Sequence, residues 1–555
     1  MTTDNISSPS NNHAQSMVPQ PPQKRPDRID IGSGLLMRWS TRADAENVAR
    51  FMAEAFRKRM LRGNSGVMTE YDSALVENTL AKEGENPIVA CICLHASSGY
   101  YGKTPLTWGK PECVGSHPDY RSKGLVRRLF VEMIHPASDM RGDVIQIILG
   151  IPHFYCQFGY EYAVGLHPFF KLDDLPSLIP PLLESEYETL DKDGQAVKHK
   201  VTESEPFTLR KVSLNDMPYL LEMSTPEKMQ RQAQIGMLYD EGYWRYTIHD
   251  LVETVESKMD CTRDTRIIVD AKTGKDCGLV MTNVGTLMNL NIFTLEDGYS
   301  YRDAMYPVLR QVIAIAGQPS IWDLKEMEAK KGSEKTVQEA KDVSQADKDD
   351  QAKDKKDNDN NKETHEPKVI QSMVLALDPQ HPVSKFLVSK SKPIHKHLKL
   401  YTRIRSYADF ILKVAPTLED RIAKSAFAGI TVTWHFNFFR KVPGSSGKGL
   451  EVVFVDGKIV SATDDWVPLS PQAKMLAAQE RIAKAKAEKR VDKKPLQFTA
   501  DFAPLSFTRL LVGNLTIEQM MELYGECSVG GGDDAQLMLE VLFPKQQYHM
   551  DMFWW

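Results

Sequence analysis

The sequence predicts a mixed α/β (α+β) protein made of several successive units, and three observations carry that prediction. Apolar runs of strand length alternate with amphipathic stretches of helical spacing along most of the 555 residues. A strand-then-helix opening near Leu35 is echoed near Phe207, as an internal repeat would be. Two polar, charge-rich tracts interrupt the pattern instead of extending it. Length alone suggests two to four domains.

The elements follow in order. Residues 1–32 are rich in Ser, Asn, Gln and Pro and read as a disordered tail. Leu35 to Trp39 reads as a strand, followed by a helix from about Asp44 to Lys58 with Val48, Phe51, Met52 and Phe56 at helical spacing. Pro87 to His95 reads as a strand, and Glu112 to Tyr162 as strand, basic turn, helix, strand and aromatic turn. Phe169 to Leu172 reads as the last strand of a first unit spanning 33–175. A second unit, 205–400, opens at Phe207 to Val212 and continues with strands at Thr265 to Val269 and Gly278 to Asn283. Between them Lys272 to Lys275 reads as a hairpin turn; a helix from Tyr301 to Ala316 and a strand near Val369 to Leu377 follow. Residues 325–367 contain no Phe, Tyr or Trp and read as a disordered charged insert. A third unit, 401–555, has apolar clusters from Tyr407 to Ala423, alternating strands at Gly429 to Phe436 and Leu450 to Val455, and short helices near Phe507, Thr516 and Ala535. Within it, 472–494 reads as an exposed helical insert.

The densest chemistry lies between Glu112 and Tyr162. Leu125, Leu129 and Met133 recur at helical spacing behind a turn holding Arg121, Ser122, Lys123 and Gly124. The first turn of a helix offers N–H groups without internal partners and a partial positive charge, which suits a diphosphate. Gly124 lets the backbone approach such a ligand, and Arg121, Lys123, Arg127 and Arg128 raise the local positive potential. Val144 to Leu149 is an apolar run fit for a strand buried on both faces. It leads into Phe154-Tyr155-Cys156-Gln157-Phe158-Gly159-Tyr160. Either motif alone fits an ordinary helix start or an ordinary aromatic core; together, in this order and separation, they describe a site.

Arg121 to Val126 fills most of the frame Arg/Gln-x-x-Gly-x-Gly/Ala, with Val126 where a small residue is usual. With the aromatic turn downstream, this region resembles the GNAT superfamily of N-acetyltransferases. The resemblance implies acetyl-CoA as co-substrate. Its pantetheine arm would pair with the main chain of a splayed strand at Val114 and Ser116. Its pyrophosphate would sit on Arg121, Ser122, Lys123, Gly124, Leu125 and Val126. The second unit lacks the frame at its strand-to-helix turn and so reads as a degenerate copy that does not bind the cofactor. The third unit resembles the sterol-carrier-protein-like domain. That order of three is similar to the enhanced intracellular survival group of N-acetyltransferases. The group uses a tyrosine as general acid and the α-carboxylate of the last residue as general base; carried over, these roles fall to Tyr155 and Trp555. Gly150 to His153 departs from the group's Ser/Glu/Gly pattern, so no substrate contact is carried over. The resemblance further implies a homo-oligomer.

The implied chemistry is sound. A primary amine attacks a thioester carbonyl, a carboxylate accepts the amine proton, and a phenol of pKa near 10 donates to the leaving thiolate. The acceptor class is a lysine side chain, a polyamine or an amine metabolite. His117 and His153 are further candidate bases. No metal is required, and the seven cysteines lack paired zinc-type spacing. A net charge of −5 gives no support for nucleic-acid binding, and no apolar segment approaches the length of a membrane span. Without a signal-peptide pattern, and with scattered cysteines, the expected location is cytoplasmic. Two alternatives remain on the same scaffold: a non-catalytic acyl-CoA-binding protein, and a lipid carrier using the Trp434/Phe436/Phe438 stripe.

Overall fold

The computed structural model describes residues 28–56, 73–165, 169–182, 184–229 apart from 191, 193 and 194, 235–245, 262–284, 288–317, 369–393, 399–439, 449–464 and 496–550, with isolated positions between. The charged tract 325–367, most of 472–494, and Trp555 therefore lie outside the described residues.

Both sequence repeats begin with the same electrostatic device. Arg38, on strand Leu35–Trp39, bonds Asp44 at 2.7 Å and Glu77 at 2.6 Å, while Asp44 closes a capping box with Thr41 ahead of helix Ala45–Phe56. Arg210, on strand Phe207–Lys211, bonds Asp216 at 2.9 Å and Asp276, while Asp216 closes a capping box with Ser213 ahead of helix Met217–Met223. The spacing Arg-x-x-Ser/Thr-x-x-Asp is identical, and its physics explains why: a carboxylate satisfies the helix's first N–H groups and an arginine anchors it to the sheet. Burial opposes ionisation of Asp44, yet the bonds from Arg38 and Thr41 outweigh it and bring its pKa from 3.8 down to about 2. This contribution to stability is fully present above about pH 4 and is lost as pH falls through about 2. Arg38→Met is expected to destabilise by about 1.5–3 kcal/mol and to flatten the acid limb of a urea-melt series between pH 5 and 2; an unchanged limb would count against this account.

The first sheet runs, side by side, Arg28–Gly32, Leu35–Trp39, Ser73–Asn78, Ile88–Tyr101, Thr104–Ser116, Ile145–Ile148, Lys399–Arg403 and Glu161–Gly165. Two expectations are corrected here. The tail does not extend to residue 32, because Arg28–Gly32 pairs antiparallel with Leu35–Trp39. Nor does Phe169 to Leu172 complete this sheet: strand Phe170–Asp173 lies in the second sheet, between Ser372–Leu375 and Ser391–Pro393. In exchange, Lys399–Arg403 enters the first sheet between Ile145–Ile148 and Glu161–Gly165. A short segment of strand pattern announces a strand but not its partners, since strands of either sheet can pair with it.

The second sheet is ordered Phe207–Lys211, Thr262–Asp270, Asp276–Val284, Met288–Leu295, Ser372–Leu375, Phe170–Asp173, Ser391–Pro393. The turn between the second and third of these strands is the expected hairpin, with Gly274 at φ 71°. Met288–Leu295 and Ser372–Leu375 pair in parallel only from Met288 to Leu290 and then part. Side chains fill the gap. Tyr301 packs its ring on His381 at 5.1 Å and its hydroxyl accepts the Leu295 N–H at 3.2 Å. A cavity of about 10 Å³ is left between Asn291, Asp378, His381 and His549, room for one water at most.

The third unit is a five-stranded sheet whose inner face carries Trp434, Phe436 and Phe438, all 3% exposed or less. These rings pack on Phe498, Phe502 and Phe507 in a plain aromatic core. That core is continuous with the first sheet through Tyr101, Trp108, Ile145 and Val164. The Tyr101 hydroxyl donates to Leu511 O at 2.9 Å, and Arg509 pairs with Glu161 at 2.7 Å, so the third unit covers part of the first. Strand Tyr548–His549 pairs with Ile235 and Gly236, which in turn pair with Tyr101 and Tyr100. The chain's described end, Met550, is buried.

Candidate active site

The first sheet opens where two of its strands diverge. Thr104–Ser116 and Ile145–Ile148 pair in parallel at Trp108/Ile145 and Gly109/Gln146 and no further. One extra residue helps to turn the first of them away: the register with Ile88–Tyr101 slips between Cys91 and Cys93, and Cys113 sits at φ 54°. Past this bulge Val114, Gly115 and Ser116 form one wall of a cleft of about 700 Å³, well within the range of small-molecule sites.

The next wall is the helix start. Ser122 at φ 61° and Gly124 at φ 75° reverse the backbone into the helix Leu125–Arg128, which continues through Leu129–Ile134 to His135–Arg141. Its first i→i−4 bond is made by the Arg128 N–H to Gly124 O at 3.0 Å, so the preceding N–H groups lie ahead of the helical ladder. The need for glycine at 124 is conformational: a Cβ there meets nothing within 4 Å, but the left-handed φ costs other residues about 1–2 kcal/mol. Arg121, Lys123 and Arg127 are exposed around this turn, and Lys123 lies 4.4 Å from the Tyr120 ring. Val126 borders the cleft half-buried and does not close it. In mid-helix, the His135 N–H reaches back five residues to Phe130 O. This widened turn makes room for Pro136, which has no N–H and would press on the Glu132 carbonyl in a regular helix.

The third wall is the aromatic turn Tyr155–Phe158, ended by Gly159 at φ 88°. Arg127 reaches across to it, donating to Gln157 and lying 5.3 Å over Phe158. Phe130 stacks on Phe158 at 4.7 Å and meets Tyr155 edge-on at 6.1 Å. Tyr155 lines the cleft with only 5% of its surface exposed. Burial, and then the neighbouring Tyr401, push its phenol up to about 12, so it keeps its proton throughout the neutral and mildly alkaline range. Gly150 explains how the ring fits: a Cβ at 150 would stand 2.1 Å from Tyr155 Cε2 and 2.9 Å from its hydroxyl oxygen.

All the cofactor residues read from the sequence except Lys123 line this cleft, together with Tyr155; Lys123 stands exposed beside it. Trp555 lies outside the described residues. His117 is a cap whose Nδ1 accepts the Asp119 N–H at 3.4 Å, and His153 is exposed at φ 62°. Two residues went unread. Gly150 was visible only as a departure from a pattern, and Tyr401 carries no sequence signal at all because it lies some 250 residues from the turn it touches.

Residues 37–163, which hold this cleft, match the family model of the acetyltransferase (GNAT) domain. No curated protein matches the chain in sequence. Among solved structures, the fold is similar to that of a protein of unknown function from Enterococcus faecalis V583 described as a probable N-acyltransferase, with a TM-score of 0.53 and 11% identity over 93% of this chain and 98% of that chain. It is similar to a GCN5-related N-acetyltransferase from Anabaena variabilis, with a TM-score of 0.53 and 11% identity over 93% and 99% of the two chains. A GCN5-related N-acetyltransferase from Kribbella flavida gives a TM-score of 0.51 and 13% identity over 93% and 99%. At such identities the likeness is one of fold, and it extends over nearly the whole chain. The matched domain sets the class: the protein is an acyltransferase.

Proposed function

We propose that the protein is an acetyl-CoA-dependent N-acetyltransferase that transfers acetyl to a primary amine by direct attack in a ternary complex. The observation that carries this reading is the convergence of a strand edge freed by divergence, an uncapped helix start and a buried, protonated tyrosine on one cleft. The pantetheine arm pairs with the main chain at Val114 and Ser116, and the pyrophosphate lies against the N–H groups from Ser122 to Val126 under Arg121, Lys123 and Arg127. Tyr155 donates its proton to the departing thiolate. The terminal carboxylate of Trp555 takes the proton from the amine, directly or through water, a role drawn from the family resemblance. The second unit is read as a degenerate copy without cofactor, a reading supported by the packing of Tyr301 on His381 beside its parting strands.

Gly124→Ala should weaken acetyl-CoA binding by up to about tenfold, because the free loop relaxes out of the left-handed turn and some 1–2 kcal/mol is needed to restore it on binding. Calorimetric titration checks it, and unchanged affinity would argue against this loop as the pyrophosphate seat. The reading as a whole is tested by thiol release from acetyl-CoA against lysine peptides, polyamines and small amines, using untagged protein and a form lacking Trp554 and Trp555. Turnover by the parent on at least one amine supports transfer; loss of turnover on truncation, with acetyl-CoA still bound, supports the terminal base. Binding of acetyl-CoA without turnover on any of these amines would favour the non-catalytic acyl-CoA-binding alternative. A folded parent that does not bind acetyl-CoA would sink the proposal.

A further inference from the structure

We infer that Tyr401 is the positioning residue for Tyr155, delivered to the first unit's cleft by a strand that the chain reaches only after passing through the second unit. The inference rests on the reading of Tyr155 as proton donor. Strand Lys399–Arg403 lies between Ile145–Ile148 and Glu161–Gly165, so Tyr401 stands opposite Ile148 on one side and Tyr162 on the other. These are the two strands that the aromatic turn connects.

Tyr401 engages that turn in two ways. Its ring lies 5.5 Å from the Tyr155 ring and 4.9 Å from Tyr162. Its hydroxyl accepts the His153 N–H at 2.5 Å. His153 is left-handed at φ 62°, a conformation that a non-glycine residue adopts only when its surroundings hold it there. One side chain therefore holds the backbone two residues ahead of Tyr155 and the Tyr155 ring itself. Tyr401 is 3% exposed and stands behind the cleft, so it acts on the reaction through Tyr155.

Among the described residues, the other rings around Tyr155 (Phe130, Phe154, Phe158 and Tyr160) come from within the stretch 130–160. Tyr401 is the contact that ties the position of the acid to the rest of the chain. The neighbouring bond from Lys399 N–H to the Tyr162 hydroxyl, 2.9 Å, and the ion pair of Arg403 with Asp139, 3.1 Å, clamp both ends of the same strand onto the first unit. The cleft is thus complete only when residues beyond 398 are in place. A fragment ending near residue 175 would present Tyr155 without its support.

The test uses the full chain and steady-state thiol release with saturating amine. Tyr401→Phe keeps the ring and removes the acceptor of the His153 N–H; it should lower kcat about tenfold and leave the KM for acetyl-CoA within about twofold, because the cofactor walls are untouched. Tyr401→Leu removes the ring as well and should lower kcat about a hundredfold. Tyr155→Phe is run alongside. If Tyr155→Phe is inactive while both Tyr401 variants keep the parental kcat, Tyr401 is packing alone and the inference fails. Retention of parental kcat by Tyr155→Phe would remove the proton-donor reading and this inference with it. Should Tyr401→Leu not fold, the kcat and KM of Tyr401→Phe still decide, since that change deletes one oxygen.

Discussion

Tyr155→Phe should reduce thiol release by about 10²- to 10⁴-fold while acetyl-CoA binds with nearly parental affinity. The substitution removes one oxygen from a ring whose packing on Phe130, Phe154, Tyr160 and Tyr401 is otherwise retained, so stability should change little. The pH dependence has a definite sign. Because burial lifts the phenol from 10 to about 12, the donor stays protonated as pH rises past 10, and its loss belongs near pH 12. Between pH 7 and 10 the rate should therefore show no fall from this group, only the rise that comes with a larger neutral fraction of the acceptor amine. A phenylalanine variant with parental turnover, or a parental rate that collapses near pH 9 on an amine already neutral there, would show that the proton comes from elsewhere.

Gly150→Ala should be almost as damaging, although it adds a single methyl group outside any motif. That methyl would lie 2.1 Å from Tyr155 Cε2, well inside contact distance, and packed rings leave it room to move only toward the cleft. Phe154 meets it at 5.1 Å and Tyr401 at 5.5 Å, with Phe130 and Tyr160 at 6.1 and 6.2 Å. Overpacking of this kind costs about 1–3 kcal/mol of stability, and a displacement of the ring by about 1 Å costs about a hundredfold in rate. The two substitutions should not be additive, because both act on the same hydroxyl. Gly150→Ala combined with Tyr155→Phe should be no slower than Tyr155→Phe alone. Additive losses in that double variant would mean that Gly150 serves the reaction by another route.

The cofactor half of the cleft was legible in the sequence because its physics is local. A glycine in a basic turn, followed by helical apolar spacing, fixes a helix start within a few residues of chain, and the helix begins at Leu125 as that pattern requires. The helix Tyr301–Ala316, the hairpin around Gly274 and the short helix that opens at Thr516 were readable for the same reason. The repeat of Arg38, Thr41 and Asp44 in Arg210, Ser213 and Asp216 was read only as an echo of strand and helix; the pairs of Arg38 with Glu77 and of Arg210 with Asp276 reach other strands.

By itself, then, the sequence determined the local elements, their order and the residues that can cradle a diphosphate, since each depends on neighbours a few positions apart. The tertiary structure decided which strand belongs to which sheet. Phe170–Asp173 and Lys399–Arg403 are both short strands of mixed apolar and polar residues, and nothing within them says which sheet each enters. That exchange brings Tyr401 against Tyr155, and the divergence of two strands beyond Gly109 opens the cleft that Tyr155 lines. Pairing across hundreds of residues is settled by the shape and burial of the assembled chain, which no local pattern encodes.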